Sequence, residues 1–218
     1  MRPGRRRLGA RRRRQLLGRD HRRPRRGLAF VPTGSATYDY YGADRAGDNL
    51  FANSLIALDA RTGERRWHQQ LVRHDLWDRD LPAPPNLVTL RRDGTEIPAV
   101  APVTKTGPAF LFHRETGEPL FPREEPVVGP FIPGDSPAAS QPLPTRPPRP
   151  FVARVLSRAD VTDYSETARA AILARLESMQ FGRLYTAPGA AENVVSPGLD
   201  GGAEWGEPRG TRRAAALR

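Results

Sequence analysis

A strand, a Thr-Gly-Glu turn and a closing aromatic occur twice in this chain, and that repeat restricts its fold more than any other feature. Leu58-Asp59-Ala60-Arg61-Thr62-Gly63-Glu64-Arg65-Arg66-Trp67 is echoed by Phe112-His113-Arg114-Glu115-Thr116-Gly117-Glu118-Pro119-Leu120-Phe121, at an offset of 54 residues. A period of that length, with strand, turn and aromatic in each unit, points to propeller blades ahead of a sandwich. The intervening sequence has the same character. Asn86-Leu87-Val88-Thr89-Leu90 and Ile97-Pro98-Ala99-Val100-Ala101 flank an Asp93-Gly94 turn, a hairpin signature.

Further strands are expected at Leu28–Pro32, Ser54–Asp59, Arg66–Val72 and Ala109–Phe112. Residues 122–150 are too dense in proline for a sheet or helix interior and read as an extended surface connection. Asp163-Tyr164-Ser165-Glu166 has capping-box spacing, and Ala168, Ile172, Leu176 and Met179 then give an apolar helical face. An amphipathic helix packed on the sheet is the expectation there. Strand and turn resume from Leu184, ending in the Gly-rich loop Leu199–Gly206. The fold class is therefore all-β, a partial propeller with one inserted helix.

Charge divides the chain into three. Residues 1–26 carry 13 arginines against one acid, Asp20, and residues 207–218 form an Arg/Ala tail. The net charge of +11 thus belongs to the ends, and the segment 27–206 is mildly acidic. A like-charged tract repels itself and stays disordered. The change of composition near Gly27 favours a misplaced start over native coding sequence. No apolar run follows the basic start as in a secretory signal, and no stretch has the length of a bilayer span. With no cysteine, disulfides and thiolate metal sites are excluded.

The chemistry concentrates in His74-Asp75-Leu76-Trp77-Asp78-Arg79-Asp80-Leu81-Pro82. Three carboxylates this close cannot enter an apolar core without partners. Lysine is equally telling. The chain has 35 basic residues and only Lys105 is not arginine, so Thr104-Lys105-Thr106-Gly107 retains a compact ammonium where arginine is otherwise the rule. A base beside a flat, electron-poor ligand fits this grouping.

These blocks, with Asp39-Tyr40-Tyr41-Gly42, Gly47-Asp48-Asn49 and Ala52-Asn53-Ser54-Leu55, resemble the pyrroloquinoline quinone (PQQ)-dependent dehydrogenases. The glucose, quinate and shikimate branch is the most similar. The resemblance covers about residues 27–206 and implies two to three blades of an eight-bladed propeller with four-stranded blades, a fragment of a longer enzyme. It implies oxidation of an aldose or cyclic polyol outside the cytoplasm, at the periplasmic face of the inner membrane, with electrons passed to a membrane quinone or a cytochrome. It assigns Asp78 as the catalytic base and as a ligand of calcium (or magnesium). Lys105 is assigned to the quinone oxygens of PQQ, and Trp77 is a further cofactor contact, though packing within the blade suits it better. His74, Asp75 and Asp80 form the supporting shell. A carboxylate beside apolar rings would have its pKa raised towards a useful range for a base.

The pattern departs from the family in three places. Ser35 stands where some relatives carry an asparagine metal ligand, and a hydroxyl is a weaker ligand for a hard cation. His113 replaces the aspartate usual before the turn. Pro188–Asn193 lacks the usual S-x-x-G-T pattern of a blade. Two other readings compete. One is a nucleic-acid or acidic-surface binder acting through residues 1–26, which lacks interleaved aromatics or a groove-reading motif. The other is a non-catalytic scaffold in which the Asp78 loop is structural.

Overall fold

A computed structural model describes residues 27–124, 132, 134–135, 138–144, 155–189 and 191–205. The arginine tract 1–26 and the tail 207–218 lie outside the described residues. Alternation and turn residues produce most of the elements the sequence suggests: β1 (Leu28–Pro32), β2 (Ser54–Asp59), β3 (Arg65–Gln70), β4 (Asn86–Arg92) and β5 (Thr95–Ala101), whereas the strand expected at Ala109–Phe112 is displaced and shortened to β6 (Phe112–His113). The order β1-β2-β3 forms one antiparallel sheet and β4-β5-β6 another. Asp93 and Gly94, with φ of 51° and 75°, make the tight turn between β4 and β5. An isolated bridge, Phe112 to Pro119, adds a rudimentary fourth position to the second sheet. The blades are thus narrower than the four full strands the resemblance implies.

The two sheets share one core. Phe30, Leu55, Ala57, Trp67 and Leu71 from the first meet Val100, Phe110 and Phe112 from the second, with Leu81 between. Fully burying side chains of this size contributes roughly 1.5–3 kcal/mol each. Trp67 joins the sheets: its ring lies 5.7 Å from Phe30 and 6.4 Å from Phe112, and its Nε1 donates to Arg114 O at 3.2 Å. A Cβ on Gly117 would come within 2.7 Å of the indole, so glycine is required there by close approach as well as by its φ of 76°.

Three expectations need correcting. The proline-rich connection is not wholly at the surface. It contributes a two-stranded sheet of β7 (Arg123–Glu124) and β8 (Leu143–Pro144), and the fully buried Gln141 exchanges two hydrogen bonds with the Arg73 backbone. The helix, α1 (Glu166–Leu176), is capped by Ser165 rather than Asp163, and it does not lay an apolar face on the sheet. Only Leu176 is buried and Ile172 is 41% exposed, because the alanines and arginines around them leave no continuous stripe. Beyond Leu184 the chain forms turns and a bridge from Gln180 to Asn193 instead of strands, consistent with the lost pattern at 188–193. Among the described residues no helix is long and apolar enough to cross a membrane.

Candidate active site

The site is built on the loop after β3. Asp75 is buried and acts as its internal clamp. Its Oδ1 accepts from Trp77 N at 2.9 Å, and its Oδ2 accepts from Arg79 N at 2.6 Å and Asn53 Nδ2 at 2.7 Å. A carboxylate holding several N–H groups is a stable buried anion, which resolves the burial problem posed by the sequence. Arg45 ties the same loop down, donating to Asp75 O at 2.8 Å and Asn49 Oδ1 at 2.6 Å. His74 is buried, with Nδ1 2.7 Å from Gly47 O and Nε2 3.5 Å from Asp135 Oδ1. A Cβ on Gly42 would strike that imidazole, so glycine there makes room for the ring.

With Asp75 fixed, the chain turns through Asp78 at a φ of 55°, a left-handed conformation that aspartate tolerates better than most residues. Lys105 reaches the loop from the β5–β6 connection. Its Nζ lies 2.9 Å from Asp78 Oδ2, 3.3 Å from Asp80 Oδ2 and 3.7 Å from Glu204 Oε1. The backbone supports this pairing, with Lys105 N donating to Asp80 O at 3.2 Å and Gly202 N donating to Lys105 O at 2.7 Å. Gly201 must be glycine: a Cβ would fall 2.5 Å from Lys105 Cβ. Asp80 Oδ1 also accepts from Ser35 N at 2.5 Å.

The electrostatics set Asp78 apart. Burial raises its carboxyl, Asp80 raises it further, and the Lys105 hydrogen bond only partly opposes this, leaving it at about 6. Lys105 is lowered by burial, but the Asp78 hydrogen bond and the Asp80 and Asp78 charges outweigh this and hold the ammonium above its ordinary value. The arrangement is a carboxylate able to take a proton near neutrality beside a cation that stays charged.

The structure therefore brings Asp78, Asp80 and Lys105 together and puts Asp75 and His74 behind them. Trp77 packs on the segment around Tyr185. It is buried, its ring 5.1 Å from Tyr185 and its Nε1 donating to Thr186 O at 2.7 Å. Two contributors escaped the sequence reading. Glu204 sits in a Gly-rich loop with no spacing relation to the acids. Arg79 hides in an arginine-rich chain, where one more arginine carries no signal. Asn53, marked only as part of a matching block, proves to be the side-chain partner of Asp75.

The donor set tests what such a site could hold. A largely buried ammonium and a titratable carboxyl that is 29% exposed suit a planar ligand rich in oxygen. The buried hydroxyl of Ser35, which has no hydrogen-bond partner, lies beside Asp80 and adds a free polar atom. For a divalent cation the set falls short. Calcium takes six to eight oxygens, and among the described residues no group of three or more His, Asp or Glu is arranged to hold a metal.

Comparison with known proteins gives a consistent picture. Residues 23–210 match the model of the PQQ glucose/ethanol/alcohol dehydrogenase β-propeller domain. A probable quinate dehydrogenase (quinone) of Xanthomonas campestris pv. juglandis is 39% identical over 81% of this chain and 23% of its own length. A quinoprotein glucose dehydrogenase of Gluconobacter oxydans is 35% identical over 82% of this chain and 22% of its own. The chain thus spans less than a quarter of the length of these curated relatives. The solved quinohemoprotein alcohol dehydrogenase ADHIIG of Pseudomonas putida superposes with a TM-score of 0.51 over 86% of this chain and 22% of that one, at 19% identity, which supports the propeller fold.

Proposed function

The chain belongs to the PQQ glucose/ethanol/alcohol dehydrogenase β-propeller family, and on that premise we propose that it carries the proton-handling and quinone-contacting part of an oxidoreductase. The reaction is oxidation of a CH–OH group of an aldose or cyclic polyol. The observation that supports this is the contact between Lys105 Nζ and Asp78 Oδ2 at 2.9 Å, made by residues 27 positions apart within the matched region.

PQQ, when bound, supplies the acceptor for the hydride leaving the alcohol carbon. The chain's own residues do the rest. Asp78 takes the hydroxyl proton on its carboxylate. Lys105 donates hydrogen bonds to ring oxygens of the ligand and keeps Asp78 oriented through their shared bond. Asp75, Asn53 and Arg45 hold the loop so that neither group must reorganise. Asp78 offers calcium or magnesium one carboxylate. With the metal donors incomplete among the described residues, this chain is read as binding PQQ without turning over by itself. Electron transfer to a membrane quinone or cytochrome at the periplasmic face completes the reading.

Titrating the full chain with PQQ, followed by quenching of tryptophan fluorescence, tests it. Saturable binding is expected, weakened about tenfold or more by Lys105→Met through loss of a charge-assisted hydrogen bond. The pH dependence has a definite sign. As pH falls through about 6, Asp78 is protonated and stops competing for Lys105, so the anionic quinone binds more tightly. Asp78→Asn should flatten that profile. Binding that Lys105→Met leaves untouched would assign it to the arginine tract and end the proposal. Substrate-dependent dye reduction by the PQQ- and calcium-loaded chain would contradict the reading that it does not turn over alone.

A further inference from the structure

A cavity of about 150 Å³ lies beside the loop, with Tyr40, Trp77, Arg79, Arg183, Asn193 and Ser196 in its wall. Its polar groups are unusual. The Arg79 side chain is fully buried, yet it donates only to backbone carbonyls, Pro197 O at 2.8 Å and Gly198 O at 3.2 Å. Its Nε has no partner. Among the described residues no carboxylate lies within ion-pairing distance of it. Asp75, the anion that acts on it most strongly, is occupied by Trp77 N, Arg79 N and Asn53. A buried guanidinium without an anion is costly, and the cost is relieved when one arrives.

The rest of the wall has matching chemistry. Arg183 is exposed at the edge of the cavity, and its guanidinium makes no hydrogen bond or ion pair among the described residues. The Asn193 amide donates to Ala191 O at 2.9 Å, while its Oδ1 is buried with no partner. Two guanidinium groups match a carboxylate, and a free amide oxygen matches a hydroxyl. The rings of Trp77 and Tyr40 supply an apolar face between them.

We propose that this cavity takes the carboxylate end of a small polyhydroxy acid, with Arg79 and Arg183 holding the charge and Asn193 accepting a substrate hydroxyl. Asp78 is not itself in the wall, but its two chain neighbours, Trp77 and Arg79, are, so the cavity borders the loop that carries the base. The inference rests on the PQQ reading for its chemistry and deepens it by naming the substrate class. Relatives named for quinate and for glucose are similarly close, so overall similarity does not choose between a charged and a neutral substrate. The unpaired arginine does.

The test uses the full chain without PQQ, titrated calorimetrically at physiological ionic strength with quinate, the methyl ester of quinate, and glucose. Quinate should bind saturably, and the ester and glucose at least about tenfold more weakly. Arg183→Gln should weaken quinate about tenfold, and Asn193→Asp, which puts a negative charge in the wall, by more. Both variants alter groups that are not in the core, so they remain informative if substitutions of Arg79 fail to fold. Both also leave residues 1–26 intact. Equal affinity for acid and ester, or quinate binding unchanged in both variants, would overturn the inference. PQQ titration of the same samples separates the two proposals. Quinone binding without acid selectivity removes the cavity assignment alone, and acid selectivity without quinone binding removes the redox reading alone.

Discussion

The two copies of the strand-turn-aromatic repeat are nearly identical in backbone and very different in what holds them. In the first, Asp59 N donates to Glu64 O at 2.8 Å and Gly63 N to Asp59 O at 2.8 Å; in the second, the bonds are His113 N to Glu118 O at 2.8 Å and Gly117 N to His113 O at 2.9 Å. Gly63 and Gly117 have φ of 75° and 76°. The side chains diverge. Asp59 Oδ1 accepts from Arg61 N at 2.9 Å and Thr62 N at 3.0 Å, whereas His113 Nδ1 accepts only a 3.4 Å bond from Thr116 N. Trp67 is buried across the sheet junction, while Phe121 is half-buried beneath the Arg92 guanidinium at 5.0 Å. The first turn leads into a ladder running from Ser54–Gln70 to Leu58–Arg65, and the second into the single Phe112–Pro119 bridge. Proline at 119 has no N–H to donate to a ladder. The turn is therefore a local property of Thr-Gly-Glu, and the blade that follows it is not.

The sharpest way to break this comparison is to remove the aromatics. Trp67→Ala should cost about 3–5 kcal/mol in urea denaturation, the range for a large core aromatic. Phe121→Ala should cost about 1 kcal/mol, since its ring is partly solvated and holds one cation–π contact. Comparable losses would mean that the two blades depend equally on their aromatics. The glycines come next. Gly63→Ala meets open space and should cost about 1–2 kcal/mol for the left-handed backbone alone. Gly117→Ala carries the same strain plus the collision with Trp67, about 1–3 kcal/mol more. Equal costs would show that the indole yields freely.

The smallest effect is at the turn side chain. His113→Asp should raise the melting temperature modestly by supplying the missing pin. Its sign with pH follows from Asp59, whose carboxyl is held below its ordinary value by the Thr62 and Arg61 backbone hydrogen bonds. A depressed folded pKa gives stability that is present above the unfolded value and lost as pH falls through the folded one. The gain should therefore be visible at neutrality and vanish in acid. Asp78 has the opposite sign, because its folded pKa is raised. A gain that persists at acid pH would mean the new carboxylate does not accept the turn N–H groups.

Much of the fold was legible from residues in sequence order. Alternation and the Asp93-Gly94 turn gave β4 and β5, and the repeat gave β2, β3 and the second hairpin. The helix was legible in place but not in packing. Its cap is Ser165 and not the Asp163 that opens the expected box, and the alanines and arginines between Ala168 and Leu176 leave its apolar positions without a continuous stripe. The site divides in the same way. Three carboxylates in the His74–Pro82 loop and one lysine among arginines stand out by composition. Glu204 and Arg79 do not, because their significance lies in which distant groups surround them.

By itself the sequence determined the tight turns and most of the strands before Phe112, and it singled out Asp78 and Lys105 by composition, since φ preference and side-chain period act over a few residues. Only the tertiary structure decided that Lys105 meets Asp78 and Asp80, that Trp67 presses on Gly117, and that Arg79 is buried without a counter-ion. Those outcomes depend on desolvation and Coulomb interactions between groups far apart in the chain, which exist only once the sheets have packed.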